Sequence, residues 1–129
     1  MVVFLPSVTM PIPAPSASPR LVIMLNDASS ASVTIALRYA ITAAAMDVAV
    51  ELHAVSGSVA LLREGALDPA LLGLIQQAAS LGATLFACPA AMEDHHLSIS
   101  QLIAEVAGVR GAASLLAAGL APGARFMVF

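Results

Sequence analysis

The chain has no lysine, no tryptophan and a single cysteine, Cys88, among its 129 residues. Charged residues of any kind make up 10% of it, against roughly 25% in an average soluble protein. Each scarcity closes off a class of function. Without lysine there is no GxxxxGK[ST] phosphate loop, and no GxGxxG follows the first apolar run, so two common nucleotide signatures are missing. Five arginines against eight acids give a net charge of −3 with no basic stripe, which argues against nucleic acid. A lone cysteine forms no internal disulfide, so nothing points to an oxidising compartment, and the cytoplasm is the default expectation.

What is present is apolar: 60% of the residues are hydrophobic. So few charges cannot coat a monomer evenly, and large bare apolar patches mark interaction surfaces, so the composition predicts a homo-oligomer. A membrane span is not expected. Residues 111–124 are uncharged but fall short of a span of about 20 residues and are broken by Pro122 and Gly123. Residues 28–46 carry Ser29, Ser30, Ser32 and Arg38. The length suits one ordinary domain with a real core.

Residues 1–19 stand apart. Pro6, Pro11, Pro13, Pro15 and Pro19 rule out a helix there, and no basic stretch precedes the apolar residues as a secretory signal requires. They are expected to form a mobile or surface-draped Pro/Ser-rich extension. A sharper option is a strap that packs Val2, Val3, Phe4 and Leu5 onto a neighbouring subunit.

From residue 20 onward strands and helices alternate. LVIML (21–25) is a continuous apolar run, the mark of a strand buried on both faces. Ser29, Ser30 and Ser32 are candidate caps for a helix to about Met46. A second strand is expected over 48–55, broken by Ser56-Gly57-Ser58, with a short helical turn near 59–63. Asp68-Pro69 opens another helix in the favoured order of cap then proline, and Gly82 stops it. The strand 83–87 ends at Cys88. After Pro89 a polar bend, MEDHH, is expected to lead to a helix from Ser98 or Ser100 to about Val106. A last helix over 111–120 and a strand over 124–129 complete the chain. This order predicts a single α/β domain over 20–129, Rossmann-like, with a parallel sheet of about five strands and helices on both faces. In such folds the carboxyl ends of the strands form the ligand crevice. Cys88, Asn26, Asp27 and Ser56 all fall at that edge.

Cys88 therefore has a claim to chemistry that its residue type alone, usually a small buried hydrophobe, would not support. The amide dipoles of a following helix would favour a thiolate. His95 or His96, folded back over the loop, would add positive charge or exchange a proton, while Glu93 and Asp94 act in the opposite sense. Acyl transfer would need an oxyanion hole that no residue pattern identifies. Metal binding through Cys88, Glu93, Asp94 and His95 matches no standard zinc spacing, and adjacent histidines diverge; no metal and no cofactor are expected. His53 on its strand is read as a satisfied, partly buried histidine. Arg110 lines the crevice or faces solvent. A solitary thiol without a resolving partner suits the acceptance of sulfur as a persulfide and its transfer to another protein's cysteine.

LVIMLNDASS with its alanine-rich helix, VSGSVALLREGA, LFACPAAM and above all EVAGVRGAASLLAAGLAPGARFMVF resemble the DsrE/DsrF-like family, which includes DsrE, TusD and the YchN-type proteins. The resemblance runs over roughly residues 20–129. It implies a small parallel α/β fold assembled into oligomers, often trimers or hexamers. It further implies a sulfur carrier or sulfurtransferase role on Cys88, with a TusA- or rhodanese-like partner as donor or acceptor. The acidic, histidine-bearing loop after Cys88 departs from the small or basic loop of some carriers. Two alternatives remain beside this reading: a non-catalytic structural or regulatory subunit, and a small-ligand or metal-binding protein using Cys88 and His95.

Overall fold

A computed structural model of the chain describes residues 18–129. The expected extension over 1–19 falls, except for Ser18 and Pro19, outside the described residues. The elements are β1 (Arg20–Leu25), α1 (Ser30–Ala45), β2 (Ala49–Ala54), a 3-10 segment (Ser56–Leu62), α2 (Pro69–Ser80) and β3 (Thr84–Ala87). After these come α3 (Pro89–Asp94), a 3-10 turn (Ile99–Gln101), β4 (Val106–Val109), α4 (Ala112–Gly119) and β5 (Ala124–Val128). The five strands form one sheet in the order β4-β3-β2-β1-β5. Every pair is parallel, so all strand carboxyl ends share one edge.

Local chemistry explains most boundaries. Ser29 caps α1, its hydroxyl accepting from the Ser32 N–H. Asp68 caps α2, accepting from the Leu71 N–H at 2.9 Å, with Pro69 in the first turn. The chain leaves α2 through Gly82 at φ 101°, a left-handed position that glycine adopts without strain.

Strand alternation sends side chains to two unequal cores. Ile23, Leu25, Val50, Leu52, Ala54, Leu85 and Ala87 face α1 and α2, meeting Val33, Leu37, Ala40, Leu71 and Ile75 in one large cluster. On the opposite face Val22 meets Leu115 and Ala118 of α4, with Met24 and Phe126 packed alongside. α4 lies so close to β5 that a Cβ on Gly119 would stand 1.8 Å from the Phe126 ring.

Two segments differ from expectation. Pro89–Asp94 is already helical where a polar bend is expected, because Pro89 supplies a preset first helical residue. The helix expected up to Val106 is a single 3-10 turn followed by β4. Ser98 and Gln101 do form a capping box, so helix initiation is encoded. It is overridden by pairing with the segment after the first 3-10 stretch: Ile103 N–H donates to Leu62 C=O and Glu64 N–H to Gln101 C=O, each at 2.8 Å. Val106–Val109 then pairs with β3 through a register shift at Leu85/Phe86.

Candidate functional site at the carboxyl edge of the sheet

Cys88 follows the last residue of β3 and is the cap residue of α3. Its backbone is still extended, at φ −77° and ψ 123°, and its N–H donates to Ala54 C=O of β2 at 3.0 Å. Its own C=O accepts from Met92 N–H at 2.9 Å, the first bond of α3. One residue thus ends the sheet ladder and begins the helix. On the other side Arg110 N–H donates to Ala87 C=O at 3.0 Å, which brings the exit of β4 beside Cys88. Gly111 lies against Pro89, a Cβ there standing 3.8 Å from the proline ring.

Along this edge, Arg110 and Gly111 flank Cys88 on one side and Val55 and Ser56 flank it on the other. Asn26 and Asp27 come next, since Val55 N–H donates to Leu25 C=O at 3.0 Å. The thiol is half-buried, packed against the larger core and without a side-chain cap bond. It is neither a sealed plug nor a bare surface group.

The other expected site residues divide by position. Ser56 stands one strand from Cys88, exposed, in the left-handed region at φ 54°. Asn26 and Asp27 share the edge but serve the local turn. Both N–H groups donate to Phe129 C=O, at 2.7 and 3.0 Å. The Asp27 carboxylate accepts from Ser29 N–H at 3.1 Å and from the Ser29 and Ser32 hydroxyls at 3.0 Å. These bonds, the Ser29 N–H foremost, hold its carboxyl below the ordinary value of 3.8.

Glu93, His95 and His96 are exposed at the far end of α3. His95 closes the helix and His96 turns the chain at φ 53°. At ~1.5 Å rise per residue, His95 stands about 10 Å along the axis from Cys88. Helix geometry thus sets His95 along the axis from Cys88, and His96 turns the chain beyond it. No cluster of metal-ligating side chains occurs among the described residues.

Two polar side chains that shape the molecule lie outside these expectations. Ser58, buried, donates its hydroxyl to Leu25 C=O and is 2.9 Å from Val55 C=O, tying the exits of β1 and β2 together beneath the site. His53 is only 2% exposed, more deeply buried than expected. Its Nε2–H donates to Glu51 Oε1 at 2.9 Å, Glu51 in turn lies 3.5 Å from Arg20, and Nδ1 has no partner among the described residues. The ring packs on Phe86, centroids 5.1 Å apart, and the Arg110 guanidinium covers that phenyl at 4.4 Å. The sequence signal was VELHA: two polar residues two apart in an apolar strand share a face.

No protein-family model matches the chain, and no curated protein matches it in sequence. Solved structures do. The ychN protein from E. coli is 19% identical with a TM-score of 0.75, covering 86% of this chain and 99% of that one. MTH1491 from Methanobacterium thermoautotrophicum, a protein of unknown function, is 17% identical at a TM-score of 0.74 over the same shares. BT1422 from Bacteroides thetaiotaomicron, likewise of unknown function, is 21% identical at 0.70, over 90% and 99%. Likeness at these identities is one of fold, and the parallel α/β architecture of about five strands expected from the order of elements is the one observed.

Proposed function

We propose that the protein carries sulfane sulfur on Cys88 and passes it to a partner thiol. The observation that carries this reading is the position of Cys88: a half-buried thiol at the carboxyl edge of a parallel sheet, where β3 becomes α3, in a chain with no second cysteine. In the loading step the Cys88 thiolate attacks the outer sulfur of a donor persulfide. A new S–S bond forms on Cys88, the donor S–S bond breaks, and the donor leaves as a thiolate. Unloading is the same displacement by an acceptor thiolate, which leaves Cys88 as it began. Neither step needs an outside oxidant or reductant. A small carrier or rhodanese-like protein is the donor or acceptor we favour, in the cytoplasm, where thiols stay reduced.

Self-association accompanies this reading. Leu116 on α4 and Leu120 at its C-cap are 50% and 74% exposed, and Val128 on edge strand β5 is 61% exposed. We place a contact between copies there, in a trimer or hexamer. The distance of His95 from Cys88 favours partner exchange over a metal or small-ligand site built from both.

Intact-mass spectrometry after incubation with a sulfane donor tests the carrier reading. The expected result is the gain of one sulfur atom, reversed by a thiol and absent in Cys88→Ala. No gain across persulfide and thiosulfate donors would overturn it.

A further inference from the structure

A surface helix ordinarily carries polar and charged side chains on the side away from the core. α1 does not. Val33, Ala36, Leu37, Ala40 and Ala44 are its buried residues. On the opposite side Ile35, Tyr39 and Met46, the last at the C-cap, are 48%, 50% and 69% exposed. Thr42 lies among them and donates its hydroxyl to Arg38 C=O at 2.9 Å, which ties its one donor back onto its own helix. The Tyr39 ring is steadied against Phe129, centroids 5.9 Å apart. α2 packs beside α1 and turns Gln76, Gln77 and Ser80 outward instead. Positions 35, 39, 42 and 46 step by four, three and four, the a/d spacing of a coiled-coil seam rather than of scattered surface residues.

We infer that a second copy of the chain covers this stripe, its α1 lying antiparallel to the first about a twofold axis between Tyr39 and Thr42. Charge selects both the occupant and its direction. Arg38 is the only charged residue of α1 and makes no ion pair among the described residues. The last turn of α1 has no basic residue, so the negative end of its dipole stands unneutralised, and exposed Asp47 follows directly. Antiparallel pairing answers one with the other. It sets Ile35 opposite the partner's Met46, Tyr39 opposite the partner's Thr42, and Arg38 alongside the partner's last turn. The twofold axis makes each of these contacts occur twice. Parallel pairing would set Arg38 against the partner's Arg38 and leave both helix ends bare. α1 covers the sheet face opposite α4, so this contact is separate from the one placed at Leu116 and Leu120. It does not depend on the chemistry of Cys88.

Because Cys88 is the only cysteine, Cys88→Ala gives a full chain free of thiols. In that background Thr42→Cys sets the two copies' thiols about 4.5 Å apart along the axis, and Ala31→Cys sets them about 28 Å apart. Both positions are exposed on the same stripe. The expected result with a short bismaleimide is a covalent dimer from Thr42→Cys and none from Ala31→Cys. Adding Ile35→Asp should abolish the dimer while circular dichroism stays native. In sedimentation velocity, Ile35→Asp in the otherwise native chain should halve the mass of the assembly. No dimer from Thr42→Cys overturns the inference. A dimer from Ala31→Cys means parallel pairing and overturns the charge argument with it. A dimer that survives Ile35→Asp reports random collision and overturns the contact, as does an unchanged mass.

Discussion

The two faces of the sheet are built from the same strands but to different standards. The face under α1 and α2 is a continuous apolar core drawn from Ile23 through Ile103, and Cys88 packs against it. The face under α4 has Val22, Leu115 and Ala118 as its buried apolar cluster, and beside it sits a polar group, His53 with Glu51 and Arg20. Burial of apolar area stabilises in proportion to that area. The first face therefore supplies most of the stability and fixes where Cys88 stands. The second has little core to lose and depends on particular fits. Its half-satisfied histidine and its glycine-on-phenyl contact are the kinds of feature that one substitution undoes.

The largest effect expected is on the first face. Leu37, fully buried, should cost about 4 kcal/mol as Leu37→Ala, while Leu115→Ala on the second face should cost about 2. Urea denaturation of both variants checks the ordering, and equal losses would break the comparison. Next comes the polar group. Glu51→Ala removes the hydrogen-bond partner of His53 and should cost about 2 kcal/mol, the penalty of an orphaned buried donor. Glu51→Gln keeps an acceptor oxygen and should recover most of that loss. If Gln is as damaging as Ala, charge rather than the hydrogen bond holds His53.

Gly119→Ala follows, at about 1.5 kcal/mol, because the added methyl drives the Phe126 ring off α4. The pair is coupled, so Gly119→Ala with Phe126→Leu should cost less than the sum of the two single losses. Strict additivity would mean the ring swings aside freely and the contact is not a fit at all.

These two faces were unequally legible in the sequence. LVIML, the Ser29 and Asp68 caps, Pro69 and Gly82 each carry a local signal that the fold obeys, and they assemble the first face. Cys88 at a strand's carboxyl end came from counting elements. β4 did not, because four residues with a central glycine are too short for a period, and their strand state comes from pairing with β3. Where His95 stands along the chain from the thiol depends on whether Pro89–Asp94 is bend or helix, and the helix sets it about two turns on from Cys88. In the sequence Gly119 is one small residue in an alanine-rich stretch. Only the approach of Phe126, a partner seven positions on, gives it a role.

The smallest effect lies where the first face opens toward the site. Asp27 is exposed, and its carboxylate gathers the Ser29 N–H with the Ser29 and Ser32 hydroxyls at the start of α1. Because these bonds depress its folded-state value, the stabilisation they give is fully present above the ordinary aspartate value of 3.8 and is lost as pH falls through the lower folded value. Asp27→Asn keeps one acceptor oxygen but has no charge to titrate. Thermal melts of the two proteins should therefore differ by a constant small margin near neutrality, with the parent more stable. The margin should close only on the acid side of the aspartate range, through protonation of the parent. A margin that widens with acid would give the serines no part in holding the charged form, and the turn at Asn26–Asp27 would then rest on its backbone bonds to Phe129 alone.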